Sequence, residues 1–168
     1  NKTIPMPKAL AIMRKKLDFT CNNPKDQNTS RWIKADSTEK RMNVVLISVE
    51  SLSANFLGSY GDPRGLTPNL DSLAQQGLLF TNLYASGTRT VRGLEALSLC
   101  IPPTPGQSIV KRQNNRNLFT LGIVFQSKGY HSRFIYGGYG YFDNMNEFFS
   151  QNGYDVTDRK ALNAKEIH

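Results

Sequence analysis

The chain has 168 residues, of which 39% are hydrophobic, and it carries a formal net charge of +8. This length and hydrophobic content suffice for one ordinary core and favour a single domain. The charge raises the question of nucleic-acid binding, but it is concentrated before residue 42 and in one later loop, without a basic stripe interleaved with aromatic residues. Composition therefore disfavours a nucleic-acid surface and is typical of a basic segment facing solvent or an anionic membrane.

Residues 1–40 are predicted to form a basic helix and a linker ahead of the folded domain. The segment Lys8–Leu17 places apolar side chains at helical spacing beside a cationic face, which predicts an amphipathic helix. Thr20–Lys40 is polar and contains Asn22-Asn23-Pro24, which is typical of a linker. The folded domain is expected over residues 41–168.

Strands and helices alternate in the rest of the chain. The predicted strands are Asn43–Val49, Leu78–Tyr84, His131–Tyr136 and Tyr154–Val156. The predicted helices are Pro68–Gln76 with Gly77 as its stop, Thr90–Leu99, Leu118–Phe125 and Asp143–Ser150. Because helices separate the strands, the pattern predicts an α/β fold with a mainly parallel sheet and helices on both faces.

Cys21 and Cys100 lack the C-x-x-C spacing of a zinc site or a redox pair. Two cysteines so far apart also define no disulfide framework. We expect two unrelated thiols, with Cys100 packed in the core at the end of an apolar helix.

Three predicted strand ends carry residues suited to chemistry. Glu50 follows the first strand, the turn Ser86–Thr90 follows the second, and Gly138 with Tyr139 follows the third. Because ligands collect beyond the carboxyl ends of the strands in an open α/β sheet, we expect these residues to share one edge. A carboxylate and a hydroxyl there can share a metal ion, which would polarise the hydroxyl into a nucleophile.

Each of these residues also has a simpler interpretation. Glu50 suits a solvated carboxylate at a strand end, and Thr90 suits a helix N-cap. Thr88 is a second candidate for the nucleophile. Arg92 suits either a donor to phosphoryl oxygens or a surface arginine on the first turn of a helix. The glycine-aromatic loop 137–144 suits either a substrate wall or a surface turn.

A longer pattern points to a known superfamily. Gly58-Ser59-Tyr60-Gly61 is followed by Thr67-Pro68-Asn69-Leu70-Asp71-Ser72-Leu73-Ala74. Together with Glu50 and Thr90, this segment resembles the alkaline phosphatase/sulfatase superfamily, and within it the membrane-linked phosphotransferases of the lipoteichoic acid synthase type. The resemblance implies a three-layer αβα sandwich with a mainly parallel sheet. That fold is expected to be incomplete here, because such a catalytic domain has on the order of 300 residues.

The resemblance also implies roles for individual residues. Glu50 and Thr90 would bind a divalent cation, with Mn²⁺ as the first choice and Mg²⁺ or Zn²⁺ as alternatives. Thr90 would be the catalytic nucleophile, and Arg92, Gly138 and Tyr139 would bind substrate. The Asp–His pair that completes the family's metal site has no counterpart in this chain, so residues 41–168 would be the N-terminal part of the catalytic domain, inactive by themselves.

The chain has the spacing of the sulfatase signature but not its first residue. Thr88 and Arg92 have the spacing of that signature, whose first residue is a Cys or Ser that becomes formylglycine. A threonine cannot supply formylglycine, so this departure from the family pattern argues against sulfate ester hydrolysis.

The resulting hypothesis is a metal-dependent phosphotransferase. It would move a phospholipid headgroup, phosphoglycerol first, onto an acceptor hydroxyl through a phospho-threonine intermediate. Phosphoethanolamine transfer and sulfatase-like hydrolysis are alternative activities, and a non-catalytic binding or regulatory domain and a nucleic-acid-binding domain are alternatives of other classes. The expected partners are a phospholipid donor, a hydroxyl acceptor and a membrane reached through an upstream anchor, with no nucleic acid. The catalytic domain is expected in the periplasm or outside the cell.

Overall fold

The computed structural model describes residues 3–16 and 35–161. Its contacts divide the chain into two units, residues 1–47 and 48–168. No helix in the described ranges combines the length and the apolarity that crossing a bilayer requires.

The first unit contains helix α1, Met6–Lys16. This confirms the predicted amphipathic helix, whose last residue, Leu17, lies outside the described residues. The last turn of α1 is basic, and cations there interact favourably with the helix dipole. Most of the predicted linker also lies outside the described residues, and the domain boundary at residue 41 stays a prediction.

Between residues 48 and 161, the second unit contains four α-helices and two strands. They are α2 (Pro68–Gln76), α3 (Thr90–Leu99), α4 (Leu121–Ser127), β1 (Arg133–Ile135), α5 (Met145–Ser150) and β2 (Asp155–Thr157). The four helices confirm the predictions, although two begin later than expected. Helix α4 begins after Thr120, whose side chain accepts a hydrogen bond from the Ile123 backbone N at 3.3 Å and caps the helix. Helix α5 begins after a 3₁₀ turn over Phe142–Asn144.

Strands β1 and β2 form a two-stranded parallel sheet. Arg133 lies opposite Asp155, and Ile135 lies opposite Thr157. The chain between the strands passes through α5, as a parallel pair requires a crossover. The sheet confirms the last two predicted strands and their parallel direction.

The predictions of strands over Asn43–Val49 and Leu78–Tyr84 are wrong for this structure. A strand exists through backbone hydrogen bonds to a neighbouring strand, and within residues 35–161 no such ladder reaches either segment. Both segments are exposed, with Val45 at 80% and Leu78 at 81% of their maximal accessible surface. Apolar composition alone therefore did not produce strands, because the pairing partner is a tertiary feature.

The hydrophobic core lies between the sheet, α3 and α5. Its buried members are Val91, Val110, Met145, Phe148 and Phe149. The Phe149 ring stacks on Phe134 of β1 with centroids 3.7 Å apart and meets Tyr154 edge-on at 5.2 Å. Such aromatic packing fixes the sheet on α5.

Cys100 is not part of this core, so its predicted burial is wrong. It is exposed and follows the last residue of α3 as the C-cap, with a φ of 56°. A residue at that position leaves the helix and turns away from the face that the helix buries.

The side chain of Asn152 is fully buried and ties the loop before α4 to α5. Its Oδ1 accepts from the Leu118 backbone N at 2.7 Å, and its Nδ2 donates to the carbonyls of Asn115 and Phe148 at 2.6 and 2.7 Å. The Asn152 carbonyl also accepts from Thr120 Oγ1 at 2.6 Å. All polar atoms of this amide are paired, as a buried amide requires.

Candidate functional site

Glu50 and Thr90 meet in the second unit. Thr90 Oγ1 donates a hydrogen bond to Glu50 Oε2 at 2.8 Å, across 40 residues of sequence. Thr90 is the first residue of α3, and Arg89 before it is the N-cap residue with extended backbone. The Thr90 hydroxyl is therefore directed at Glu50 and does not act as the N-cap.

A tight backbone turn presents Glu50. Ser51, the next residue, has a φ of 57°, a left-handed conformation that residues other than glycine rarely adopt. Such strain persists only where the surrounding structure enforces it, and it is frequent at functional sites. The Glu50 side chain is exposed, so its carboxylate is open to a ligand.

Asp71 of α2 holds the Gly58–Tyr60 turn that follows Glu50 in the chain. Its Oδ1 accepts from both Ser59 N and Ser59 Oγ at 2.7 Å, and its Oδ2 accepts from Thr67 Oγ1 at 3.0 Å. These hydrogen bonds, the Ser59 hydroxyl first, lower the pKa of Asp71. A Cβ on Gly58 would lie 2.7 Å from Asp71 Oδ2, which explains the glycine. The segment that carries the family pattern is therefore architectural.

Arg92 is engaged by structural contacts. Its Nη1 donates to Glu95 Oε2 and to the Thr104 carbonyl, both at 3.0 Å, and its Nη2 donates to the Gly106 carbonyl. These contacts direct the guanidinium to the 104–106 turn. Substrate binding by Arg92 stays a prediction.

Gly138 and Tyr139 lie in the loop after β1. The Gly138 carbonyl accepts from the Arg159 backbone N at 3.0 Å. The Tyr139 ring stacks on Tyr141 with centroids 5.6 Å apart, and the Arg159 guanidinium lies 5.9 Å from the Tyr139 centroid. The structure thus connects these two residues to Tyr141 and Arg159, and their predicted role beside Glu50 and Thr90 stays a prediction.

Asp158, at the end of β2, anchors the same loop. Its Oδ2 accepts from Asn146 Nδ2 and from the Gly140 backbone N, both at 2.9 Å. These bonds, that of the Asn146 amide first, lower the pKa of Asp158. A Cβ on Gly140 would overlap the Asn146 side chain, at 1.6 Å from its Oδ1, so the loop requires glycine there.

Glu95 is a residue that the sequence interpretation missed. It is fully buried and forms an ion pair with Arg92 at i,i+3 spacing on α3. That spacing is visible in Arg92-Gly93-Leu94-Glu95 and is the signal that points to a helical ion pair. Its burial is a tertiary feature that the local sequence does not encode.

Glu50 and Thr90 fit part of a divalent-cation site. Their oxygen atoms lie 2.8 Å apart and are of the type that Mg²⁺ and Mn²⁺ prefer. Within the part of the chain that the structure describes, no group of three His, Cys, Asp or Glu side chains is placed to hold a metal ion. The donor chemistry therefore suits a divalent cation, which needs ligands beyond these two.

Residues 42–166 match the sulfatase family model. The chain belongs to the sulfatase family. A solved structure, that of a protein in the alkaline phosphatase superfamily from Vibrio parahaemolyticus, is 46% identical with a TM-score of 0.62, over 67% of this chain and 28% of that one. This neighbour confirms the predicted superfamily and its α/β fold.

Curated relatives of this sulfatase-family chain are named sulfatases. Arylsulfatase A of Bos taurus is 43% identical over 60 residues, which are 36% of this chain and 10% of that protein. Iduronate 2-sulfatase of Homo sapiens is 29% identical over 120 residues, which are 71% of this chain and 18% of that protein. The chain thus spans between 10% and 18% of the length of these relatives.

Proposed function

We propose that the full-length protein is a phosphotransferase with Thr90 as its nucleophile. The hydrogen bond of 2.8 Å from the Thr90 hydroxyl to the Glu50 carboxylate carries this proposal. A nucleophilic hydroxyl needs an adjacent group that orients it and favours loss of its proton. The position of Thr90 at the start of α3 also supports the proposal, because a helix N-terminus favours an anionic phosphoryl group.

In the proposed reaction, Thr90 Oγ1 attacks the phosphorus of a phospholipid headgroup. The bond from phosphorus to the diacylglycerol oxygen breaks, and the hydroxyl proton ends on that oxygen. The acceptor hydroxyl then attacks the same phosphorus, the bond to Oγ1 breaks, and Thr90 regains a proton. Glu50 orients the Thr90 hydroxyl before the attack and again once the proton has returned to Oγ1.

A divalent cation is the cofactor of this proposal. Glu50 and Thr90 would hold it together with further ligands, and its charge would make the Thr90 hydroxyl more acidic. Mn²⁺ is the first choice. The resemblance to the lipoteichoic acid synthase type supports phosphoglycerol as the headgroup, phosphoethanolamine as the next choice, and a membrane-linked enzyme that faces the periplasm or the cell exterior.

Sulfatase-like hydrolysis is the second candidate. The names of the curated relatives favour it. Against it stands Thr88, which occupies the place of the signature Cys or Ser and cannot become formylglycine. The phosphotransferase proposal therefore has the better support from the residues of this chain.

The test is capture of the intermediate on the full-length protein. The protein is incubated with phosphatidylglycerol and Mn²⁺, quenched in acid, digested and examined by mass spectrometry. The proposal predicts a phosphoglycerol adduct on Thr90, its loss in Thr90→Ala, and substantial turnover in Thr88→Ala. Turnover in Thr90→Ala equal to that of the unaltered protein contradicts the proposal.

Two further measurements separate the hydrolase and the non-catalytic domain from the phosphotransferase. One is sulfate release from an aryl sulfate ester, and the other is binding of the lipid. Sulfate release without any adduct on Thr90 would favour the hydrolase. If the folded full-length protein binds the lipid but forms no adduct and releases no sulfate, a non-catalytic domain would be favoured.

A further inference from the structure

Arg92 is the charged partner of the buried Glu95 carboxylate. Glu95 is 0% exposed, and its Oε2 pairs with Arg92 Nη1 at 3.0 Å. The other oxygen, Oε1, has no hydrogen-bond partner within the described residues. A buried charge without a partner is strongly unfavourable, so removal of Arg92 leaves the Glu95 carboxylate uncompensated.

Arg92 lies between the turns that flank α3. On one side its side chain covers Gly87, where a Cβ would lie 2.5 Å from Arg92 Cβ and 3.6 Å from Pro103 Cγ. On the other side its guanidinium donates to the carbonyls of Thr104 and Gly106. The glycine in Gly87-Thr88-Arg89-Thr90 is therefore explained by the room that Arg92 needs.

The turn after α3 is held by further contacts. Arg112 Nη2 donates to Thr104 Oγ1 at 2.7 Å and to the Pro105 carbonyl at 3.2 Å. Ser108 Oγ donates to the carbonyl of Val91, the residue after Thr90, at 3.1 Å. The turn thus forms a fixed support against the first turn of α3.

We infer that Arg92 and Glu95 form a partly buried strut that positions Thr90. The strut links the glycine turn before Thr90 to the supported turn after α3, and it assigns Arg92 a positioning role through Thr90 instead of direct contact with substrate. This inference rests on the proposed function of Thr90. It also assigns a role to Glu95, which that reaction does not otherwise use.

The first test is kinetic and uses the full-length protein with a fluorescent phosphatidylglycerol. A positioning role predicts that Arg92→Lys and Glu95→Gln each lower kcat by about tenfold or more while KM changes by less than about threefold. The double variant should be no slower than the slower single variant, because both act through one strut. Arg116→Gln, which removes an exposed ion pair with Glu147 on α5, is the matched control and should leave kcat unchanged.

Direct substrate binding by Arg92 gives a different result. Arg92→Lys would then raise KM, and Glu95→Gln would have an independent and additive effect. Either outcome overturns the strut.

The second test does not depend on activity. Hydrogen–deuterium exchange should accelerate in both peptides 86–93 and 101–108 when Glu95 is replaced by Gln, while the peptide over α5 keeps its rate. Unchanged exchange in the two flanking peptides contradicts the strut even if Thr90→Ala shows that the proposed reaction is wrong.

Discussion

Residues 48–90 and 91–158 are held together by different interactions. Every residue that is buried within the described part of the chain lies in the second stretch. The first stretch is held largely by polar contacts, chiefly those that Asp71 accepts from Ser59 and Thr67. The candidate site joins the two stretches, because Glu50 belongs to the first and Thr90 stands beside buried Val91. Thr90 is therefore held in place by packing, and the stretch that carries Glu50 is held by hydrogen bonds.

The largest loss of stability is expected from Asn152→Ala, in the stretch 91–158. The change leaves the buried carbonyls of Asn115 and Phe148 and the half-buried Leu118 backbone N without this partner, and we expect a loss of about 3 kcal/mol in the free energy of unfolding. Urea unfolding of the full-length protein measures this loss. Asn69→Ala, at an exposed position of α2, is the control, and its effect should stay within about 0.5 kcal/mol. Equal losses in the two variants would contradict the contrast between the stretches.

A smaller effect, dependent on pH, is expected from Asp71→Asn. The pKa of Asp71 is lowered from its ordinary value of 3.8, chiefly by the Ser59 hydroxyl. Its stabilising contribution is therefore complete above pH 3.8 and is lost as the pH falls below that value toward the lower pKa of the folded state. Thermal unfolding between neutral pH and pH 3 should show the unaltered protein losing more of this stability than Asp71→Asn. Parallel curves would show that the hydrogen bonds to Asp71 do not hold the first stretch.

The smallest change in stability is expected from Arg116→Gln. Arg116 pairs with Glu147 in the second stretch, but their side chains are 61% and 41% exposed. Exposed ion pairs typically contribute about 0–1 kcal/mol, so the unfolding temperature should hardly change. A loss as large as that of Asn152→Ala would mean that the second stretch is held by surface charge and not by burial.

Local signals made the helices predictable. Pro68 at the first turn and Gly77 after the last residue marked α2, and apolar spacing marked α3. The starts of α4 and α5 were missed because the Thr120 cap and the 3₁₀ turn before Met145 compete with apolar periodicity.

Strand pairing and side-chain burial were harder to predict from the sequence than the helices were. The sequence of Asn43–Val49 is apolar enough for a central strand, but a strand also needs a neighbour, and none pairs with it among residues 35–161. The pairing of Glu50 with Thr90, 40 residues apart, was anticipated from the rule that strand ends share one sheet edge and from the family pattern, although the two strands that the rule used are not formed among residues 35–161. The burial of Glu95 depends on packing that no local pattern encodes.

The central claim is that Glu50 and Thr90 form one cation-binding site. Calorimetric titration of the full-length protein with Mn²⁺ tests it most directly, with Glu50→Gln as the variant and Glu147→Gln, at an exposed carboxylate of α5, as the control. We expect Glu50→Gln to weaken Mn²⁺ binding by about tenfold or more, equivalent to about 1.4 kcal/mol, while Glu147→Gln binds as the unaltered protein does. Equal Mn²⁺ affinity in Glu50→Gln and the unaltered protein would contradict the claim and remove Glu50 from the site.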